Sequence, residues 1–368
     1  MEVNGQAYRT IWVNPDGWSV EIIDQTRLPH EWRTETLKTP EDATRAIADM
    51  LVRGAPLIGA TGAYGLALAA RHDPSEDALS KVAEILIAAR PTAVNLEWAV
   101  ARVLSALLEV PEAERVRAAY AEAAKICDED VDICSRIGDF GLELIKAARA
   151  RKSKPGPVNI LTHCNAGWLA TVDWGTAIAP IYKAFNAGID VHVWVDETRP
   201  RNQGAHITAW ELAQHKVPHT LIVDNAGGHL MQHGLVDLCF VGTDRTTYTG
   251  DVCNKIGTYL KALAAYDNNV PFYVCAPSTS IDWQMTDGLK EIPIEQRRGD
   301  EIGTLRGLTA AGEVTAISIK PAQTPTRNDA FDVTPRKYVT GLITERGVCA
   351  ANAEALSAMF PDLAVPAL

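Results

Sequence analysis

From residue 158 onward the chain alternates short apolar runs with helix-length spacers, and few architectures accommodate that rhythm. Val158–Thr162, Val191–Val195, Thr220–Val223, Leu238–Val241 and Phe272–Cys275 are rich in β-branched or aromatic side chains. Runs of that length read as strands, and the segments between them are long enough for helices. Strands joined by helical crossovers form a doubly wound parallel sheet with both faces covered. Ligands of such sheets sit outside the carboxyl ends of the strands. Four of these ends carry polar or reactive groups: Thr162-His163-Cys164-Asn165-Ala166-Gly167, Val195-Asp196-Glu197-Thr198-Arg199-Pro200, Asp224-Asn225-Ala226-Gly227-Gly228-His229 and Val241-Gly242-Thr243-Asp244-Arg245. The pattern predicts one pocket that brings Cys164 close to Asp244.

The first half reads differently. Thr10–Val13 and Trp18–Ile23 are strand-like and flank the turn Asn14-Pro15-Asp16-Gly17, which predicts a hairpin. Thr39-Pro40-Glu41-Asp42 has a cap residue, a proline for the first turn and early carboxylates, so a helix is expected from there to Leu51. Helical periodicity also covers Glu76–Ala89, Leu96–Leu108, Glu112–Ile126 and Val131–Ala148. The apolar stretch Gly54–Ala70 is too short to span a bilayer and is expected as a helix inside a core. Pro155-Gly156-Pro157 ends the helical half. With 368 residues, 47% of them hydrophobic, two cores are expected: a mainly helical N-terminal domain, 1–153, and an α/β domain, 154–368.

Composition narrows the function. A net charge of -11 argues against general binding to nucleic acid or an acidic membrane, leaving room only for a local anion site. Seven cysteines without a C-x-x-C spacing predict reduced thiols, and a polar start without an apolar core predicts a cytoplasmic protein. Neither G-x-G-x-x-G nor G-x-x-x-x-G-K-[ST] occurs, so the nucleotide-binding fingerprints are missing. His229 and His233 have metal-ligand spacing without the H-E-x-x-H context, and a solvated or capping role is the better reading.

Cys164 is expected to precede a helix running from Trp168 to Phe185, whose N-terminus would favour a thiolate. Asp244 ends an apolar strand; desolvation there would hold its proton, and a pairing with the adjacent Arg245 would oppose that. Three segments suit an anion: Arg53-Gly54-Ala55 before Pro56, Arg90-Pro91-Thr92, and Asn254-Lys255-Ile256-Gly257, the last expected to start a helix. Singly each fits a solvated cation; together they suggest a phosphate.

These residues carry a resemblance over nearly the whole length. Arg53-Gly54-Ala55-Pro56, Arg90 to Asn95, Thr162 to Gly167, Asp196 to Pro200, Gly204-Ala205 through Glu211, Gly242 to Arg245 and Gly250 to Gly257 follow in the order of the methylthioribose-1-phosphate isomerase family. That family shares a superfamily with regulatory subunits of the translation initiation guanine-nucleotide exchange factor. The resemblance implies a Rossmann-like C-terminal domain carrying a smaller helical one, and a homodimer. It also implies aldose-to-ketose isomerisation of 5-methylthioribose 1-phosphate in methionine salvage, without metal, nicotinamide or other cofactor. It places the catalytic pair on Cys164 and Asp244, and substrate contacts on Arg53, Gly54, Ala55, Arg90, Gln203, Asn254 and Lys255.

The chain departs from the family pattern at Thr243, Trp168, Tyr248-Thr249 and Cys253, which are expected to flank the site, with Trp168 as an apolar neighbour of the sugar's C5 group. Isomerases of 5-deoxyribose 1-phosphate or ribose 1,5-bisphosphate, and a non-catalytic regulatory subunit, are the rival readings. The bisphosphate would need a second cationic site.

Overall fold

A computed structural model describes residues 1–90, 94–153 and 155–363. Pro91, Thr92 and Ala93 lie outside the described residues, so of the expected Arg90-Pro91-Thr92 anion segment only Arg90 is placed.

The expected hairpin forms from β1 (Ile11–Val13) and β2 (Val20–Ile23), and β3 (Thr34–Leu37) adds a third antiparallel strand. Helix α1 (Pro40–Ala48) starts where the cap signal put it: the Thr39 hydroxyl accepts from the Asp42 amide while the Asp42 carboxylate accepts from the Thr39 amide. Such a cap contributes about 1 kcal/mol. The helix ends three residues before Leu51, because Met50 turns into the left-handed region. Helix α2 (Ala55–His72) is buried along its length apart from Pro56, Arg71 and His72, the central position its all-round apolarity demands. Around it pack α1, α3 (Glu76–Ala88), α4 (Val94–Leu108) and α5 (Arg115–Arg151).

Helix α5 corrects one expectation. The two helices read on either side of Cys127-Asp128-Glu129-Asp130 are one continuous helix. Partners elsewhere hold the acidic run that breaks the apolar period: Arg9 donates to Asp128 at 2.7 Å, Arg102 donates to Glu129, and the Asp130 carboxylate accepts the Val172 amide at 2.7 Å. The first half of α5 buries Ala119, Ala123 and Ile126 in the helical core, and its second half buries Ile137 and Ile145 under the sheet.

The second half of the chain is the expected α/β sheet. Its strands are β4 (Val158–Thr162), β5 (Val191–Asp196), β6 (His219–Ile222), β7 (Leu238–Val241), then β8 (Arg245–Thr247) and β9 (Val252–Lys255) of a smaller sheet, β10 (Phe272–Cys275), the hairpin β11 (Thr304–Leu308) and β12 (Val314–Ser318), β13 (Phe331–Thr334), β14 (Gly341–Thr344) and β15 (Gly347–Cys349). Among the described residues the main sheet has the order β15-β14-β10-β7-β4-β5-β6, parallel except at β15. From β4 the chain winds outward through β5 and β6, then returns to β7 on the other side of β4 and winds the opposite way. The order therefore reverses between β4 and β7, the strands that deliver Cys164 and Asp244. A crevice opens at such a reversal. No helix among the described residues is long and apolar enough to cross a membrane.

Candidate active site

The loop after β4 is held in a demanding conformation. Cys164 has φ 66° and Thr198, from the loop after β5, has φ 62°. Such conformations cost about 1–3 kcal/mol each and persist where the surroundings fix them. Here the Cys164 amide donates to the Thr198 hydroxyl at 2.8 Å, and the Thr208 hydroxyl donates to the Cys164 carbonyl at 2.7 Å. The Asp224 carboxylate in turn accepts the amides of Thr198 and Arg199, both at 2.7 Å. Three of the four predicted strand-end loops thus hold one another. Asp224 serves the pocket only through the loop it braces.

The helix expected from Trp168 does not form. A short 3-10 turn, Trp168–Ala170, is followed by a polar loop closed by a bridge between Gly167 and Gly175, and α6 runs only from Ala179 to Asn186. The Thr171 hydroxyl donates to the Asp173 carbonyl and accepts the Gly175 amide, which favours the turn over a helix. Pro180 in the first helical turn was the sequence signal for the later start. The segment after Cys164 therefore gives it no helix N-terminus. Burial pushes its thiol above the ordinary value, and the charges of Arg53 and Lys255 oppose that without reversing it. The expected thiolate becomes a neutral thiol. Trp168 is also absent from the pocket wall: it is fully buried among Ile178, Ile181 and Val193 in the core under the sheet.

Asp244 follows β7, and its carboxyl faces the same pocket as Cys164. Burial raises its pKa, against the cations Lys255, Arg53 and Arg90. Arg245 approaches Asp282 at 3.5 Å. Lys255 closes the strand β9 rather than starting a helix. The chain turns at Gly257, with φ 103°, before α8 (Thr258–Asp267). Burial lowers the Lys255 pKa, opposed by Cys164 and Asp244; its ammonium donates to the Ala330 carbonyl at 3.0 Å and lies 4.5 Å from the Phe331 ring centre.

Arg53 bridges the two halves of the chain. Its guanidinium donates to the Asn165 side chain at 2.6 Å and to the Asn165 carbonyl at 2.9 Å, and stands 3.9 Å from the Cys164 sulfur. The next residue, Gly54, has φ 91°, and a Cβ there would collide with the Ala170 backbone. Only glycine lets the two loops meet this closely. Arg90 approaches Glu295 at 3.6 Å, and its Nε has no partner among the described residues. All nine residues singled out from the sequence, Cys164, Asp244, Arg53, Gly54, Ala55, Arg90, Gln203, Asn254 and Lys255, line this one pocket. Met50, Ile58, Ile292, Pro293 and Phe331 give it an apolar side. Of the residues that depart from the family pattern, Thr243 and Cys253 reach the wall and Tyr248 and Thr249 do not.

Two groups behind the wall were not picked out as individual residues. Glu211, on α7 (Ala209–Gln214), accepts from Asn165 Nδ2 at 3.1 Å, from the Leu169 amide at 2.9 Å and from the Tyr182 hydroxyl at 3.1 Å. Burial pushes its carboxyl up to about 7 despite those donors. A Cβ on Gly167 would overlap that carboxyl, so the glycine makes room for it. The signal was a lone acidic residue between Trp210 and Leu212. His163 bonds Asp196 through Nδ1 and the Ile256 carbonyl through Nε2, each at 2.8 Å. His163, Asp196 and Asp224 offer metal-type donor atoms within 4.8 Å of one another, yet Lys261 Nζ already stands 3.2 Å from Asp196. That ammonium balances the carboxylate, so the cluster reads as a structural network. His229 and His233 are exposed, with the His233 ring against the His229 carbonyl.

Residues 51–351 match the Initiation factor 2 subunit family, which settles the wider grouping. The chain belongs to that family. It is 60% identical over 368 residues, 99% of this chain and 94% of the relative, to a methylthioribose-1-phosphate isomerase of Rhodospirillum rubrum. It is 62% identical over 366 residues, 99% of both chains, to one of Acidiphilium cryptum. Among solved structures it is similar to 5-methylthioribose 1-phosphate isomerase from Pyrococcus horikoshii, with TM-score 0.83, 41% identity and 97% of each chain covered. It is similar also to translation initiation factor eIF-2B, subunit delta, from A. fulgidus, with TM-score 0.79, 38% identity, 96% of this chain and 100% of that one.

Proposed function

We propose that this chain isomerises 5-methylthioribose 1-phosphate to 5-methylthioribulose 1-phosphate. One observation carries the reading: Cys164, Asp244 and Lys255 meet in a single pocket with Arg53 and Arg90, in a chain similar end to end to proteins named for that activity.

Arg53, Arg90 and Lys255 supply the charge for the phosphate. Gly54 and Ala55 open α2, whose first amides have no intrahelical acceptor and suit an anion. Gln203 and Asn254 contribute side-chain amides to the same wall.

The anomeric oxygen is phosphorylated, so the ring opens only if an acid protonates the ring oxygen. Asp244, whose hold on its proton burial strengthens, is that acid. Breaking the bond from C1 to the ring oxygen leaves positive charge at C1. The hydrogen on C2 then moves to C1 with its electron pair, C2 becomes the ketone, and the C2 hydroxyl proton returns to the Asp244 carboxylate. Cys164, kept a thiol, is a weak candidate for removing a proton from C2; it contributes as a polar neighbour of the migrating hydrogen. The apolar side of the pocket keeps water from the C1 cation.

The joint presence of Cys164, Asp244 and Lys255 favours an enzyme over a non-catalytic initiation-factor subunit. Assay of the purified protein with 5-methylthioribose 1-phosphate, 5-deoxyribose 1-phosphate and ribose 1,5-bisphosphate tests the reading; turnover of none of them overturns it. Residues 1–153 and 154–368 are taken as the two domains, which a first proteolytic cut within α5 would contradict. The seven cysteines are unpaired, in keeping with the cytoplasm. Exposed Leu221 and Val223 along the edge strand β6 offer apolar surface for a homodimer, which sedimentation would detect.

A further inference from the structure

Beside the reaction pocket lies a second cavity of about 280 Å³, and the two share Met50, Arg53 and Gln203 as a common wall. Its far side is built from the loop after β5 and the start of the hairpin strand β11. Four arginines line it, Arg53, Arg199, Arg201 and Arg306, against one carboxylate, Glu301. That carboxylate is already shared: it accepts from Arg201 at 2.9 Å and from Arg297 at 2.7 Å. Arg199 and Arg306 have only carbonyl partners among the described residues, Arg199 those of Pro200 and Ile302 and Arg306 that of Thr26. Burial lowers the Arg306 pKa, and the nearby charges of Arg27 and Arg201 add to the effect.

A second and independent observation comes from the amides. Gln25, Asn202 and Gln203 are each more than nine-tenths buried and line this cavity, and Gln25 Oε1, Asn202 Oδ1 and Gln203 Oε1 have no partner among the described residues. Buried polar atoms normally find partners. Guanidinium groups in excess of carboxylates together with unused amides make a lining suited to an oxyanion that also carries a hydroxyl.

We propose that this cavity is a second anion subsite that takes a phosphate group, with Arg201 and Arg306 on its oxygens and Asn202 and Gln25 on its hydroxyl or on an attached sugar hydroxyl. The phosphate has two possible sources, free phosphate or the far end of a pentose bisphosphate whose first phosphate sits in the reaction pocket. Neither source requires the isomerase reading, because binding is read without turnover.

The test is calorimetric titration of the full-length protein with inorganic phosphate, in the wild type and in Arg306→Gln, Asn202→Asp and Lys255→Ala. Asn202→Asp adds a negative charge at almost unchanged shape, and because Asn202 has φ 56°, a conformation aspartate also tolerates, it guards against simple misfolding of the arginine variant. Two sites are expected in the wild type. Arg306→Gln and Asn202→Asp should each weaken one of them by about ten-fold or more, the scale of a hydrogen bond to a charged group, and leave the other. Lys255→Ala should show the converse. Titration with a pentose 1,5-bisphosphate separates the sources: if one ligand spans both sites, it binds one to one and is weakened by all three variants. If it is weakened by Lys255→Ala alone while phosphate keeps its second site, the subsite serves free phosphate. A single phosphate site, indifferent to Arg306→Gln and Asn202→Asp, would overturn the proposal.

Discussion

Arg53 and Asn165, 112 residues apart in sequence, are joined twice: Nη1 donates to the asparagine side chain at 2.6 Å and Nη2 to its carbonyl at 2.9 Å. The pair fixes the guanidinium over the Cys164 loop and makes the helical half of the chain part of the site. Asn165→Ala removes one bond and leaves the other. The KM for the sugar phosphate is expected to rise about ten-fold, as for the loss of one hydrogen bond to a charged group, with a smaller change in kcat. Steady-state kinetics read this directly, and an unaltered KM would count against Arg53 as a phosphate ligand.

Asp244 is expected to work as an acid, and the sign of its pH dependence follows. Its pKa is raised by burial, so the protonated form is full below that value and is lost as pH climbs through it. kcat/KM should therefore fall on the alkaline side. Asp244→Asn should lower kcat by about 10²–10⁴-fold while phosphate still binds, since Arg53, Arg90 and Lys255 remain. Turnover at the wild-type level would remove the assignment.

Glu211 links pH to stability rather than to chemistry. Its folded pKa of about 7 lies above the ordinary 4.5, so the folded state holds the proton more tightly than the unfolded chain. The contribution is fully present below about 4.5 and is lost as pH rises to about 7, on the order of 3 kcal/mol in all. Glu211→Gln keeps the shape and never charges. Its melting temperature relative to wild type should be higher at pH 8 than at pH 5. A difference that does not vary with pH would show that the carboxyl is not titrating in place.

The parts of the fold that local chemistry decides were legible in the sequence. Thr39 with Pro40 and Asp42 marked a helix start, and the β-branched runs marked β4, β5, β7 and β10 to within a residue, because both signals act over a few neighbours. The nine pocket residues were legible through the order of motifs that carries the family resemblance. Long-range partners were not. Nothing near Asp128, Glu129 and Asp130 reveals that Arg9, Arg102 and the Val172 amide will partner them in turn and let the acidic run sit inside one long helix. The thiolate expected at Cys164 depended on a helix that Gly167, Gly175 and Thr171 replace with a loop, and Trp168 then turns into the core instead of the pocket. Glu211 was invisible as a partner of Asn165 for the same reason: its role exists only once α7 packs under the loop after β4.

The route taken by the C2 hydrogen is the sharpest test of the site. A thiol kept neutral by burial and a carboxyl whose proton burial favours can supply a proton to the ring oxygen, and neither is a strong base toward a proton on carbon. Hydrogen passing from C2 to C1 with its electrons never meets solvent, whereas a proton lifted by Cys164 would exchange with water before its return. Turnover in deuterated water, followed by proton NMR of the ketose product, separates the two. The expected product carries no solvent deuterium at C1, and Cys164→Ser, which keeps a small polar group, should retain part of the activity. Substantial deuterium at C1 would mean that the thiol gives up its proton during the reaction and that Cys164 serves as a base.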